Sequence, residues 1–458
     1  MRGKLQNLWE NVRSSLWFIP TLLVALAILG SLLLIELDVV LAQRRSLLIP
    51  WLFSGTADAA RTLLSVVAVS LKKVISIAIS LTIVALVQAS AQFTPRILRQ
   101  FTASRANQVV LGTYTATFVY ALLVLRTVRS AEEGDAPFVP ALSVTTAVLL
   151  ALLCLALLIY FIHHMSQSLQ VSVIIDEVRQ ELLTQIDKLY PQALGREVPD
   201  PPAPATLREA LQHNDQPVVV RSEKAGFVRH IDEQTLLSIS LASTQWLSIR
   251  PQIGEFVASG SILVELDQVE GALDAVSEQI RRAFVIDRER TITQDPLFGI
   301  RQLVDIGLKA LSPGINDMTT AEYVLYHLDD AIGRLAGRTF PSPVRTTDSG
   351  CTQIIVNRPT WDQVVDAAFS QIREAAADDV HVTQTLLQVL YDLAQRLPPG
   401  PRTHAIQQQL VEIRYNIAQN AWSPNAKAHL LQKIAQVEYE LQTWYEPSQK
   451  ASPVAESA

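Results

Sequence analysis

The sequence predicts an α-helical integral membrane domain of four transmembrane helices, the second of them over-long. An α+β region follows, made of a small antiparallel β unit and a helical bundle. The first observation behind this fold class is a chain of 458 residues that is 49% hydrophobic, with the excess almost wholly before residue 165. The second is that the later part of the chain is long enough for one or two soluble domains and has the pattern of short strands followed by amphipathic helices.

We divide the chain into five parts on this basis. They are a transmembrane domain (1–165), a helix with a Pro-rich linker (166–209), a barrel-sandwich-like β domain (210–270), a helical domain (271–446) and a tail (447–458), which we expect to be disordered. The net charge of −6 argues against nucleic acid as a main partner and leaves the lipid bilayer as the expected one. The two cysteines are too few for a disulfide framework, which suits a reducing compartment.

The over-long helix runs from Thr56 to Thr94, contains no Gly or Pro, and is bounded by Gly55 and Pro95. Its length of about 55–60 Å is roughly twice the hydrocarbon thickness of a bilayer. We expect its first half, which carries charged side chains, to project into water or headgroups. Polar residues fall along one stripe or at its margin: Lys72, Lys73, Ser76, Ser80, Gln88, Ser90 and Thr94. Such a stripe indicates either packing within the subunit, or a water-filled pathway or subunit interface.

Four apolar runs predict the spans: Leu16–Ile35, Val74–Phe93, Gln108–Leu125 and Phe138–Ile162. An even number of spans puts both termini on one side. The basic N-terminus and 94–107 loop favour the cytoplasm for them, whereas the basic residues of 38–73 argue for the opposite side, and we choose cytoplasmic termini. If the first two spans form a hairpin, Glu36 and Asp38 lie at the depth of Lys72 and Lys73. They then either pair with these lysines, or all four reach headgroup water.

Beyond residue 216, short runs typical of strands predict a β unit: Val218–Val220, Gly226–Ile231, Leu236–Leu241, Trp246–Arg250 and Ile262–Leu266. The stretch Ile249–Leu266 resembles the hammerhead of biotinyl/lipoyl-type barrel sandwiches. Because no lysine occupies a hairpin tip flanked as carrier domains require, we interpret the unit as structural.

A helix over Phe298–Leu311 has charged residues at i, i+4 spacing, which by themselves indicate a solvated face. The segment after it predicts a tight corner, with Thr319 and Glu322 as a capping box for the next helix. The functional alternative is a cytoplasmic cleft for an anion or small ligand, lined by Asp295, Arg301, Asp305, Asn316 and Asp317. The chain ends in amphipathic helices over Trp361–Arg396 and Arg402–Tyr445, a pattern compatible with oligomerisation or with packing inside one chain.

Three segments closely resemble the DUF2254 family of bacterial predicted membrane proteins: Ala89–Phe101, Asn107–Arg129 and Asp295–Ala321. Met318 stands where the family pattern has Pro. The resemblance covers most of residues 10–440. It implies a four-span domain in the bacterial inner membrane with a cytoplasmic region, and it implies no activity.

No P-loop, H-E-x-x-H, G-x-S-x-G, Cys/His cluster or dinucleotide fingerprint occurs in the sequence. We therefore expect no enzyme, no catalytic residue, no metal and no cofactor. The polar stripe favours a homo-oligomeric ion channel with Lys72 and Lys73 at one mouth and a cytoplasmic gating domain. Lysines at the entrance would favour anions over cations. The alternative is a membrane-anchored sensor or scaffold whose cytoplasmic domain binds a ligand or partner.

Overall fold

The structure is a computed structural model. It describes residues 17–43, 53–92, 105–130, 138–168, 170–190, 196–197, 217–243, 246–266, 273–340, 343–346, 353–397 and 402–443. The chain forms two compact units, Met1–Val173 and Ile174–Ala458. The five-part division expected from the sequence stays a prediction.

The first unit consists of long apolar helices, as predicted. They are α1 (Phe18–Gln43), α2 (Ala57–Gln92), α3 (Arg105–Thr127) and α4 (Ala141–Ser168). All four are long and apolar enough to cross a membrane. Helix α2 has 36 residues. It begins one residue after its predicted start and is helical to Gln92, where the described part of this segment ends, because no Gly or Pro interrupts it.

Contacts between side chains fix the helix directions in this unit. Pro20 of α1 lies against Gly112 of α3, where an added Cβ would approach the Pro20 Cα to 2.9 Å. The Arg61 guanidinium of α2 donates to the Val128 carbonyl just beyond the end of α3, over 2.9 Å. The Tyr120 hydroxyl donates to the carbonyl of Ser143 in the first turn of α4. Helices α1 and α3 therefore run in one direction, and α2 and α4 run in the other.

The predicted continuation of the fourth helix to residue 190 is two helices. Helix α4 ends at Ser168, and α5 (Val171–Leu189) follows it. The spacing that predicted the amphipathic stretch holds within α5, because Ile174, Val178, Leu182 and Ile186 are all buried.

The β part of the second unit contains two sheets around one apolar core. Its strands are β1 (Arg196–Glu197), β2 (Val218–Arg221), β3 (Gly226–Ile231), β4 (Trp246–Ile249), β5 (Phe256–Val257), β6 (Ile262–Leu266), β7 (Phe284–Asp287), β8 (Val344–Thr346) and β9 (Gln353–Val356). The larger sheet has the order β1-β8-β9-β4-β6-β2, and the smaller β5-β3-β7. Pairing is antiparallel except between β4 and β9, which are parallel. The larger sheet includes β8 and β9, so it takes strands from well beyond residue 270.

One predicted strand is wrong. Leu236–Leu241 lies within helix α6 (Glu233–Ser243). The Asp232 carboxylate accepts from the backbone N–H and the hydroxyl of Thr235, which starts a helix at this point. Leu236 and Ile239 are buried at i, i+3 spacing, a helical period that a short apolar run does not distinguish from a strand.

The remaining elements are helices: α7 (Leu273–Ala283), α8 (Pro296–Ala310), α9 (Met318–Ala336), α10 (Trp361–Ala375), α11 (Val380–Arg396), α12 (Thr403–Gln419) and α13 (Pro424–Thr443). Each of the two predicted C-terminal helical stretches is thus a pair of helices. Local caps explain the two breaks inside those stretches. Asp379 accepts from the Val382 N–H, and Ser423 accepts from the Ala426 N–H.

Candidate functional site

Helix α2 contacts its own subunit along a narrow seam. Its buried residues repeat at intervals of three, four and seven: Ala60, Leu64, Ala68, Leu71, Ala78 and Ala85. Because four of these six are alanines, the backbone of α2 approaches its neighbours closely. The other residues of the helix are partly or fully exposed over 57–88, the range whose burial the structure describes.

The predicted polar stripe faces away from this seam. Lys72, Lys73, Ser76, Ser80 and Gln88 are all exposed. The interpretation that the stripe packs within the subunit is therefore wrong for these five residues, because the alanine-rich side of the helix makes the internal contacts instead. The Ser90 side chain and Thr94 lie outside what the structure describes.

The two lysines lie halfway along the bundle. Ala60, Leu64 and Ala68 pack with the C-terminal half of α3, whereas Leu71, Ala78 and Ala85 pack with its N-terminal half and with the second half of α4. The change from one cluster to the other falls immediately before Lys72. Helix α3 has 23 residues and is about 34 Å long. Arg61 of α2 contacts the C-terminal end of α3, and Lys72 lies about 16 Å further along α2, which is about half the length of α3. The lysines therefore lie at the middle of this bundle. That they line a pore or an interface stays a prediction.

Neither lysine has a hydrogen-bond or ion-pair partner among the described residues. Asp38, one of the two carboxylates expected to pair with them, caps α4 instead. Its side chain is 5% exposed and accepts from the backbone N–H groups of Leu142 and Ser143, each over 2.9 Å, and from the Ser143 hydroxyl over 2.6 Å. Glu36 is exposed on α1. Both alternatives for Asp38 are thus wrong, because three donors about a hundred residues away in the sequence surround it.

The predicted cleft of the second unit begins with Asp295, the N-cap of α8. Its carboxylate is 3% exposed and accepts from the Phe298 N–H over 3.1 Å and from Arg290 over 2.9 Å. Burial raises the pKa of Asp295, although Arg290 and the Phe298 N–H act in the opposite direction. Arg290 also lies over the Phe298 ring, with 5.0 Å from its Cζ to the ring centroid. The sequence Asp-Pro at a helix start signals this cap, whereas Arg290 was not identified from the sequence.

The structure does not bring the five cleft residues together. Arg301 pairs with Asp305 over 2.8 Å on α8 itself. Asn316 is exposed in the corner, with a φ of 53°. Asp317 is the N-cap of α9, where it accepts from the backbone N–H and hydroxyl of Thr320. The predicted capping box of Thr319 and Glu322 is therefore wrong, because the helix starts two residues before Thr319. Asp295 and Asp317 lie at opposite ends of a helix about 22 Å long.

Metal binding has no support in the described part of the chain. No group of three or more His, Cys, Asp or Glu side chains lies close enough there to hold an ion. The candidate features among the described residues are the outward face of α2 and the capped carboxylates of each unit.

Four long apolar helices joined to an α+β unit define the class of this protein, a multi-helix membrane protein. More particularly, the chain belongs to the DUF2254 family, described as "Predicted membrane protein", which it matches over residues 13–392. The family resemblance noted in the sequence is thereby confirmed. Two relatives are "Uncharacterized protein Mb1321c" of Mycobacterium bovis and "Uncharacterized protein Rv1290c" of Mycobacterium tuberculosis. Each is 32% identical over 416 residues, which cover 90% of this chain and 77% of the relative. No solved structure matches the chain.

Proposed function

We propose that this protein is the subunit of a homo-oligomeric, anion-selective pathway through a membrane, lined by the outward polar face of α2. The observation that carries the proposal is the position of Lys72 and Lys73. They are exposed halfway along a bundle of apolar helices, and no partner for either occurs among the described residues.

A single subunit in lipid accommodates these lysines poorly. A lysine at the centre of a spanning helix costs about 2.5–3.5 kcal/mol on insertion scales, and more on others. Snorkelling gives only partial relief, because the half-thickness of the hydrocarbon core, about 15 Å, exceeds the reach of a lysine stem. Lys72 and Lys73 also point about 100° apart around the helix, so one contact cannot cover both.

Assembly of several copies around a water-filled path removes this cost. The seryl hydroxyls of Ser76 and Ser80 extend the polar face beyond the lysines, and water or another copy is available to bond them. A ring of lysines attracts anions and repels cations. We also propose a bacterial inner membrane and cytoplasmic termini, since the basic residues of the N-terminus and the 94–107 loop favour that side.

The sensor or scaffold alternative draws less support. Its proposed ligand cleft needs Asp295 and the corner residues Asn316 and Asp317 to act on one molecule. They are separated by the length of α8, and the two aspartates already cap helices. Gating by the second unit stays a prediction.

The test is ion flux from liposomes that contain the purified full-length protein, with chloride and potassium gradients measured separately. We expect chloride flux to exceed potassium flux, and the double substitution Lys72→Glu with Lys73→Glu to reverse that preference. The reason is that the charge at the middle of the path changes sign. The matched control is Arg126→Glu, which makes the same change at an exposed residue near the end of α3.

Two results would overturn the proposal. One is the absence of flux above protein-free vesicles from a preparation whose folding is verified. The other is a lysine double variant that conducts with the same ion preference as Arg126→Glu.

A further inference from the structure

Helix α3 carries buried polar side chains that lack partners. Asn107 is 5% exposed, and Gln108 and Tyr114 are fully buried. The Asn107 Oδ1, both amide atoms of Gln108 and the Tyr114 hydroxyl form no hydrogen bond with any described residue. These groups differ from the outward face of α2, because they lie inside the subunit.

The other polar groups of α3 show how such residues are normally satisfied. Thr113 and Thr115 donate to carbonyls one turn earlier in the same helix. The Thr117 hydroxyl accepts from the Cys154 thiol, and the Tyr120 hydroxyl donates to the Ser143 carbonyl over 3.1 Å. The unpartnered atoms are thus confined to the first half of the helix.

Neighbouring helices enclose this half of α3. Asn107 and Tyr114 are seven residues apart, so they lie on one face about 10 Å apart along the axis. Tyr114 packs there with Ala85 of α2 and with Phe161 and Met165 of α4. Gln108 lies one turn before Gly112, on the side where α1 makes its close approach. A group bound here would therefore be shielded from lipid.

The chemistry of the four atoms identifies what they bind. The amide oxygens accept hydrogen bonds, the Gln108 Nε2 donates, and the Tyr114 hydroxyl does both. An ion satisfies only donors or only acceptors, so no single kind of ion satisfies this mixed set. Small neutral molecules that both donate and accept suit all four atoms. Each such atom left unsatisfied would cost about 1–3 kcal/mol, a large sum for a marginally stable fold.

We propose that a strip of ordered water lies against α3 from Asn107 to Tyr114, inside the four-helix unit. Water satisfies mixed donors and acceptors, and buried waters make about three hydrogen bonds each. This site requires neither assembly nor conduction, so its test is independent of the flux experiment.

Radiolytic footprinting of the full-length protein in lipid nanodiscs tests the proposal, because hydroxyl radicals formed from bound water oxidise the side chains next to it. Tyr120 is the internal control. It is the same residue type on the same helix, equally buried, and its hydroxyl is already bonded to protein. We expect Tyr114 to be oxidised about fivefold faster than Tyr120, or more, since only Tyr114 adjoins water. Equal rates would overturn the proposal.

A variant refines the same measurement. Gln108→Leu removes two of the four polar atoms and fills part of their space, so we expect the oxidation of Tyr114 to slow towards the rate of Tyr120. An unchanged fast rate at Tyr114 would contradict a strip that includes Gln108. The comparison within the wild-type chain needs no substitution and decides the proposal if the variant does not fold.

Discussion

Asp38→Ala should destabilise the first unit more than any other truncation of a carboxylate there, because Asp38 holds the start of α4. The substitution removes the acceptor for two backbone N–H groups and one hydroxyl at 2.6–2.9 Å. A hydrogen bond to a charged group contributes about 1.5–3 kcal/mol, so the sum of three such bonds is an upper limit for the loss. Removal of a strong exposed N-cap costs about 2 kcal/mol, which is a lower limit for a buried one. We expect a loss of about 3 kcal/mol, between these two limits.

The assay uses Cys154 as the reporter. Its thiol is 3% exposed and lies in the middle of α4, and the chain has only two cysteines. In a Cys351→Ser background, the rate at which a thiol reagent labels Cys154 measures how often the first unit opens. A loss of 3 kcal/mol corresponds to labelling about a hundredfold faster for Asp38→Ala.

The matched control is Glu36→Ala, two residues earlier on the same helix and exposed. Its labelling rate should stay within about threefold of the parent, as is usual for a surface substitution. Ser143→Ala, which removes only the hydroxyl donor, should fall between the two. If Asp38→Ala were labelled no faster than Glu36→Ala, the carboxylate would not stabilise α4 and this reasoning would be refuted.

Two further predictions concern the second unit. Gly254→Ala should lower the free energy of unfolding by about 1–3 kcal/mol in denaturant titrations. Gly254 has a φ of +85°, and its added Cβ would lie 2.2 Å from Asp295 Oδ2. Gly314→Ala, with nothing within 4 Å, is the control, and equal losses would count against the Asp295 environment. For Asp329, burial raises the pKa to about 6 from 3.8, although its partner Arg396 acts oppositely. Because the folded chain then holds this proton more tightly than the unfolded chain, the free energy of unfolding should fall as pH rises from about 3.8 to about 6 and level off above about 6. Asp329→Asn should remove that slope, and an unchanged slope would exclude Asp329 as its source.

The sequence alone determined the features that depend on neighbouring residues. The absence of Gly and Pro between Thr56 and Thr94 predicted one continuous helix, which α2 is over Ala57–Gln92, because helix continuation is a local property. The helix predicted over Phe298–Leu311 likewise agrees closely with α8 (Pro296–Ala310), because the spacing of its apolar residues is a local pattern. Where a run was short, as at Leu236–Leu241, the local pattern fitted both a strand and a helix, and the strand was the wrong choice.

Only the tertiary structure decided which side of α2 is buried and at what depth its lysines lie. Polar stripe and alanine seam are both visible in the sequence, but burial depends on which of them meets α3 and α4. The register of those helices places Lys72 and Lys73 at the middle of the bundle, a level that the sequence did not indicate. Asp38 shows the same limit, since its donors at Leu142 and Ser143 adjoin it only after the chain has folded. Packing between distant segments is a property of the whole chain, and local pattern does not encode it.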